Sequence, residues 1–526
     1  MSASREKKNR QELNASGIPD AKKVRAEKER REQRRANWLY GSIAVIFVLV
    51  AAGLWLWNSN IIQRSSAALS VGGETYSAAE VSYYYRNAYN SVVNSQYASY
   101  FSLDTSSSLS KQVMTDTDYM FLGVTREEDA EDMTWHEYFM NSAKTSLQYV
   151  AGILKDAQAN DYTFTDEMQT ELDELISTVK SYAQQAGVSY SAYLKNLYGK
   201  NMTTSVFEDV QKETILASHY EQAYLDSLEY TDDEIDAYYA ENKDSFDVVD
   251  YDYIQFKGTA ASTTDEDGNT VEPTEEEQAA AKEAAKKAAD EALERVRSGE
   301  TDLEALAEEY EDIATFYSRE GTTNYGDVVG EWLFEEGRQA GDSAVLENGS
   351  SYYLLLFHDR YRHDYRTVNV RHILIKVDTS SLDKEAEDYD EQLESLTGAM
   401  EAKAEQVLQE WKDAGATVEA FTELAAKYSE DPGSKDNGGL YTQVHQGQMV
   451  TEFNDWIFDE SRQPGDSGII YSASTGFHVM YFDGYDELYW KLQVKNAMSG
   501  RDYSQWIADL VKDLEIQELS GMKYVG

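Results

Sequence analysis

Apolar positions along the chain change their period several times, and each change marks an element. Residues 38–57, WLYGSIAVIFVLVAAGLWLW, run for twenty positions without a charge. As a helix rising about 1.5 Å per residue they would span roughly 30 Å, the thickness of a bilayer's hydrocarbon core. Trp38, Tyr40, Trp55 and Trp57 sit at its ends, where aromatic rings settle at the headgroups. A short strand-like piece, LSVGGETYS, then leads into AAEVSYYYRNAYNSVV, in which Val81, Tyr84, Tyr85, Ala88 and Val92 share one helical face. Helical spacing returns through residues 134–159, 165–186, 189–197 and 203–227, while the Ser/Thr/Asp-rich stretch 102–117 reads as a loop. At 231–239, TDDEIDAYY, a Thr cap followed by acids in the first turn opens another helix. Residues 68–245 are therefore expected to form a mostly helical domain.

Beyond it the pattern repeats. Residues 331–343, EWLFEEGRQAGDS, and 455–467, DWIFDESRQPGDS, agree at eight of thirteen positions, and three of the other five are Glu/Asp or Leu/Ile exchanges. Around each lies the same order of elements. A strand, VDYDYIQFKG at 249–258 or VNVRHILIKV at 368–377, precedes an acidic loop and a helix. The apolar faces of those helices are spaced alike: Ala285, Ala289, Ala292, Leu293 and Val296 in one, Met400, Ala404, Val407, Leu408 and Trp411 in the other. Gly299 and Gly415 stop them, as glycine does just past a helix end. A second helix repeats, with Leu303, Leu306, Ala307 and Tyr310 against Phe421, Leu424, Ala425 and Tyr428. Each copy closes on an apolar strand, SYYLLLFHDR or GFHVMYFDGY. The expected fold class is α+β, with two tandem domains, 246–365 and 366–487, of helices packed on an antiparallel sheet.

Charge sharpens the picture at the N-terminus. The chain has 526 residues and a formal net charge of −49, yet residues 1–37 hold twelve Lys/Arg against six Asp/Glu. A basic flank stays on the cytoplasmic side. Residues 38–57 are therefore expected to be a single transmembrane helix in the plasma membrane, with 1–37 a basic cytoplasmic tail against anionic lipid and the acidic bulk extracytoplasmic. A cleaved leader is the alternative, Ser66, Ala67 and Ala68 offering small residues for cleavage. So acidic a body repels nucleic acid. The chain has no cysteine, which excludes disulfides, thiolate metal sites, a cysteine nucleophile and a cysteine-borne lipid anchor. Its seven histidines show no metal-binding constellation, and the acidic run 263–277 reads as a solvated insert or, outside a cell, a calcium-binding loop. Thirty-nine tyrosines suit half-buried packing, and alternatively a surface adhesin or scaffold.

Residues 365–487 resemble the parvulin-type peptidyl-prolyl cis/trans isomerases. The resemblance rests on RHILIK in the first strand, AAKYSEDPGSKDNGG after the second helix, GQMVTEF before the third and TGFHVMYF in the last strand. VGGETYSAAEVSYYY and TDDEIDAYYAENKDSF are similar to the chaperone portion of membrane-tethered and periplasmic foldases of the PrsA and SurA kind. In that family the helical domain usually takes a partner from the far end of the chain, here residues 503–514 within 488–526. The resemblance implies that His372 and His478 are the paired histidines facing each other beneath the substrate prolyl peptide. It implies Asp431 at a position that holds cysteine or aspartate, Thr475 as the hydroxyl residue three before the second histidine, and Met449 and Phe453 as the apolar shelf for the proline ring. After Gly438 and Gly439 many parvulins have an Asp-Leu-Gly-aromatic run where this chain reads LYTQV. No contact is therefore assigned to Leu440 or Tyr441. Rotation about an X-Pro bond crosses a barrier of about 18–20 kcal/mol; lowering it needs no covalent intermediate, metal or cofactor.

The first copy departs from this pattern. Tyr253 stands opposite His372, Tyr353 opposite His478, Val329 opposite Phe453 and Tyr325 opposite Met449. Residues 246–365 are thus expected to be a degenerate parvulin-like domain that holds a client or spaces the active domain, 366–487, from the membrane. The expected whole is a membrane-anchored isomerase and folding chaperone for unfolded, proline-containing secreted polypeptides. The alternative is a catalytically inactive holdase. The oligomeric state stays open.

Overall fold

The computed structural model describes residues 60–126, 132–264, 270–300 and 302–526, and in the N-terminal segment residues 4, 5, 7, 8, 38, 41–51, 53 and 54. Most of the basic tail, Tyr40, Trp55 and Trp57 of the expected span, and the centre of the acidic run 263–277 lie outside the described residues. Residues 41–51 are helical, with Phe47, Val48 and Leu49 exposed. Among the described residues no helix is long and apolar enough to cross a membrane.

The chain divides into two compact units, one up to Leu228 with Asp502–Gly526 and one of Glu229–Arg501. The first unit is built on helices Ala78–Val93, Trp135–Ala159, Asp166–Gln185, Tyr190–Tyr198 and Thr204–Asp226. Each starts at a Ser or Thr whose side chain accepts a first-turn N–H, and Ser77 and Thr134 form full capping boxes with Glu80 and Glu137. Trp135, Phe139, Leu147 and Tyr85 form its core. The strand-like piece is a hairpin, Ala67–Val71 with Glu74–Ser77, turning at Gly72 and Gly73, whose φ values of 57° and 95° favour glycine. The far end of the chain joins this unit through Trp506, stacked on Tyr224 at 4.1 Å, and also adds a strand, Ile516–Glu518, beside Ala67–Val71. That strand was not anticipated among helices, because three exposed residues carry no period. A short helix, Asp116–Leu122, also ends the stretch read as a loop.

Helix Asp232–Glu241, expected in the helical domain, falls in the second unit. Ile235 and Phe246 pack around Trp490, Val494 and Met498, and this cluster holds it there. The unit contains two four-stranded antiparallel sheets of the same order. In the first copy the order is Ala314–Thr322, Val248–Phe256, Ser351–Tyr361, Ser343–Asn348; in the second it is Leu440–Val444, Arg366–Lys376, Gly476–Leu488, Ser467–Ser472. Helices Glu275–Arg297 and Leu303–Glu308, or Tyr389–Asp413 and Val418–Tyr428, bury their apolar stripes on one face. On the other lies a short helix, Val328–Leu333 or Thr451–Ile457.

The repeated thirteen residues build one corner twice. Arg338 lies over the Trp332 ring at 3.8 Å and Arg462 over Trp456 at 3.9 Å. Each arginine Nε donates to the carbonyl of its tryptophan, at 2.9 and 3.0 Å. Asp342 and Asp466 accept the N–H of Gln339 and Gln463, both at 2.9 Å. Gly341 and Gly465 donate to Phe357 and Phe482 on the closing strand, both at 2.8 Å. The shared Trp, Arg, Gln, Gly and Asp are thus accounted for by backbone and stacking contacts of the scaffold.

Candidate active site

Alternation along two paired strands puts both histidines of the second copy on one face. His372 lies opposite Met480 and His478 opposite Leu374, so the two are diagonal neighbours. Their rings stack with centroids 5.1 Å apart and planes at 20°, and Nδ1 faces Nδ1 at 3.0 Å. Each is 4% exposed. Asp431 arrives on the turn after the second helix. Ser429 Oγ, which accepts the N–H of both Asp431 (3.3 Å) and Leu374 (3.2 Å), ties that turn to the histidine strand. Asp431 Oδ2 is 2.9 Å from His372 Nε2, and Thr475 Oγ1 is 2.8 Å from His478 Nε2.

The four groups therefore form one hydrogen-bonded chain, Thr475–His478–His372–Asp431. The Nδ1 contact holds a single proton, and the contacts are compatible with a neutral His478 that accepts from Thr475 and donates to His372. The Thr475 hydroxyl donates to His478 Nε2, His478 Nδ1–H to His372 Nδ1, and His372 Nε2–H to the Asp431 carboxylate. The electrostatics agree. His372, then Ser434, the Gly433 N–H and Tyr441, hold the Asp431 carboxyl well below the usual carboxylate range against the pull of partial burial. Burial and the neighbouring His372 push His478 down to about 4, so it is neutral near pH 7.

Phe453, 2% exposed, stands edge-on to both imidazoles, at 5.3 Å and 79° from His372 and 5.5 Å and 87° from His478. Met449 packs on the apolar cluster that contains Phe453. All six residues singled out from the sequence thus lie in one neighbourhood. Sequence reasoning missed three others. Ser434 donates to Asp431 Oδ2 at 2.5 Å and lies 3.1 Å from His372 Nε2; the Asp-x-x-Ser spacing of the turn was its signal. Ser429 had none, and neither had Tyr441, whose hydroxyl donates to Asp431 Oδ2 at 3.0 Å. Tyr441 is brought there by the pairing of its edge strand, Tyr441 opposite Val370.

In the first copy Ile254 pairs with Leu354 as Ile373 pairs with Val479 in the second. This register sets Tyr253 and Tyr353 at the histidine positions, their rings 5.4 Å apart. Tyr317 stacks on Tyr253 at 4.8 Å, and the Arg319 guanidinium lies 5.8 Å from the Tyr253 ring. The edge strand runs on to pair Ala314 with Phe256. In the second copy the same stretch of the histidine strand is instead bonded by Gly439 and Glu430 of the aspartate turn. Val329 is buried and Tyr325 is 78% exposed.

Residues 352–483 match the family model of the PPIC-type PPIASE domain. The chain therefore carries a parvulin-type domain, and both histidine-bearing strands fall within or overlap the match. Over part of its length the chain is similar to the SurA and PrsA chaperones. It is 32% identical over 203 residues to chaperone SurA of Alkalilimnicola ehrlichii, covering 36% of this chain and 41% of that protein. It is 28% identical over 125 residues to foldase protein PrsA 4 of Bacillus cereus, covering 22% of this chain and 44% of that one. The chain thus spans less than half the length of these curated relatives. Among solved structures, PrsA of Streptococcus pneumoniae aligns at 14% identity and a TM-score of 0.21, covering 74% of this chain and 91% of that one. PrsA of Bacillus cereus aligns at 15% identity and a TM-score of 0.16, covering 76% and 95%.

Proposed function

We propose that the chain is a membrane-anchored, extracytoplasmic peptidyl-prolyl cis/trans isomerase and folding chaperone for secreted polypeptides. Its active site is His372, Asp431, Thr475 and His478 beneath the shelf of Phe453 and Met449. The observation that carries this reading is the pair of buried histidines under an aromatic ring, hydrogen-bonded to each other and at their ends to Asp431 and Thr475. The shelf holds the proline ring by apolar contact. The transition state is a twisted amide that has lost its resonance, and what it needs is a fixed, dry polar floor. The stacked imidazoles supply one, and the Asp431 carboxylate at its edge is held by His372, Ser434 and Tyr441. Asp431 and Thr475 fix the two ends of the chain and so the proton order along it. The unbroken apolar run at 38–57 and its basic flank support the anchor, and the lost polar chain of the first copy suits a domain that holds rather than isomerises.

The test is the cis-to-trans rate of a proline tetrapeptide with the purified chain. Acceleration that disappears in His478→Ala is expected. A rate equal to background would sink the enzyme reading in favour of the holdase. For the topology, protease added outside intact cells should digest the acidic body and spare a tag placed before residue 38; a protected body would refute the anchor.

A further inference from the structure

Tyr441 is bound into the candidate site more closely than the sequence suggested. Its ring lies 5.5 Å from that of His372, inclined at 37°. Its hydroxyl donates to Asp431 Oδ2, the oxygen that also faces His372 Nε2 and the Ser434 hydroxyl. The other oxygen, Oδ1, accepts only the N–H of Gly433, at 3.2 Å, among the bonds described. Gly433 itself is informative. It is not among the glycines with a positive φ, so its backbone is open to other residues. A Cβ there would, however, lie 2.6 Å from the Tyr441 hydroxyl oxygen, closer than real contacts allow. The turn is glycine at 433 for want of space, and the tyrosine takes the space.

We propose that Tyr441 is a positioning residue of the isomerase site: with Ser434 it clamps the Asp431 carboxylate against His372 and so keeps one proton order along the histidine pair, and Gly433 is small to admit it. This rests on the isomerase reading given above. Facing the carboxylate are His372 from the opening strand, Ser434 and the Gly433 N–H from the turn, and Tyr441 from the edge strand; Glu452, on the third helix, faces His478. Burial and the Asp431 carboxylate push the Tyr441 phenol up, so it remains a donor through the neutral range. Removing the donor leaves the carboxylate a stronger acceptor. The network then takes up its first proton at a higher pH, wherever that proton settles.

The test uses the full chain with Tyr441→Phe, Gly433→Ala and the double variant. Tyr441→Phe should lower kcat about tenfold with KM unchanged, the scale of one hydrogen bond to a charged group, and move the acid limb of the pH profile upward. Gly433→Ala should do the same alone and add nothing in the Tyr441→Phe background, because the atom it strikes is gone. The imidazole NMR titration of His478 should shift upward in both single variants. An unchanged acid limb and titration in Tyr441→Phe, or full additivity of the two substitutions, would overturn the clamp. Should the wild-type chain prove inactive, the isomerase reading fails, yet the titration and its additivity still decide the clamp.

Discussion

In the first copy Tyr253, Tyr317 and Tyr353 pack together where the second copy holds a chain of histidines ending on an aspartate. The corner bonds that both copies share nevertheless agree to within 0.1 Å, 2.9 against 3.0 Å for the arginine and 2.9 Å for both aspartates. Scaffold and site have separated. A tyrosine ring fills the space of an imidazole by stacking and asks for no proton order, so the first copy keeps its packing without the polar chain. Once the edge strand extends to Ala314, the turn that would present an acid has no room to form.

The comparison breaks most visibly at the histidines. His372→Ala or His478→Ala should cost about a hundredfold or more in isomerisation, whereas Tyr253→Ala or Tyr353→Ala should leave the tetrapeptide rate unchanged. Loss of rate in the tyrosine variants would mean that the first copy is also an enzyme. Restoring histidines with Tyr253→His and Tyr353→His in a His478→Ala background should recover no activity, because no aspartate turn reaches the first copy. Recovery would show that the histidine pair suffices alone.

A smaller difference should appear in acid. His478 is held near 4 in the folded chain against an ordinary 6.5, so between those values the unfolded state binds the proton and the folded state resists it. The folded state is therefore destabilised progressively as pH falls from about 6.5 toward 4, by about 3 kcal/mol in all, and keeps its full stability above that window. Hydrogen exchange corrected for intrinsic rates should therefore show protection of strand Arg366–Lys376 falling over that window more than protection of Val248–Phe256. Equal losses in both strands would argue against the burial of His478 as the cause. Smallest should be the contrast at the corner. Arg338→Ala and Arg462→Ala should each cost about 1–2 kcal/mol, read as lost protection in Ser351–Tyr361 and Gly476–Leu488 respectively. A large inequality between them would show that the corners are not equivalent.

Much of this was legible from residue order. The helices of the first unit announce themselves by Ser and Thr caps and by a period of three to four, and the helical stripes Ala285–Val296 and Met400–Trp411 point into the two sheet cores as expected. The register of the closing strands aligns Tyr253 with His372 and Tyr353 with His478 as the repeat suggested. Less legible was the home of Asp232–Glu241, which its period placed in a helix and only Trp490 placed in the second unit. Strand Ile516–Glu518 was invisible, since every residue in it is exposed.

Elements, caps, the duplication and the candidate histidines were determined by the sequence itself, because each is written in residues a few positions apart whose side chains must share a face or meet a helix end. The contacts along Thr475, His478, His372 and Asp431, and the arrival of Tyr441 and Ser434 at the carboxylate, were decided only by the tertiary structure. His372 and His478 are 106 positions apart and His372 and Asp431 are 59 apart, and a hydrogen bond of about 3 Å depends on the pairing of whole strands rather than on any local pattern.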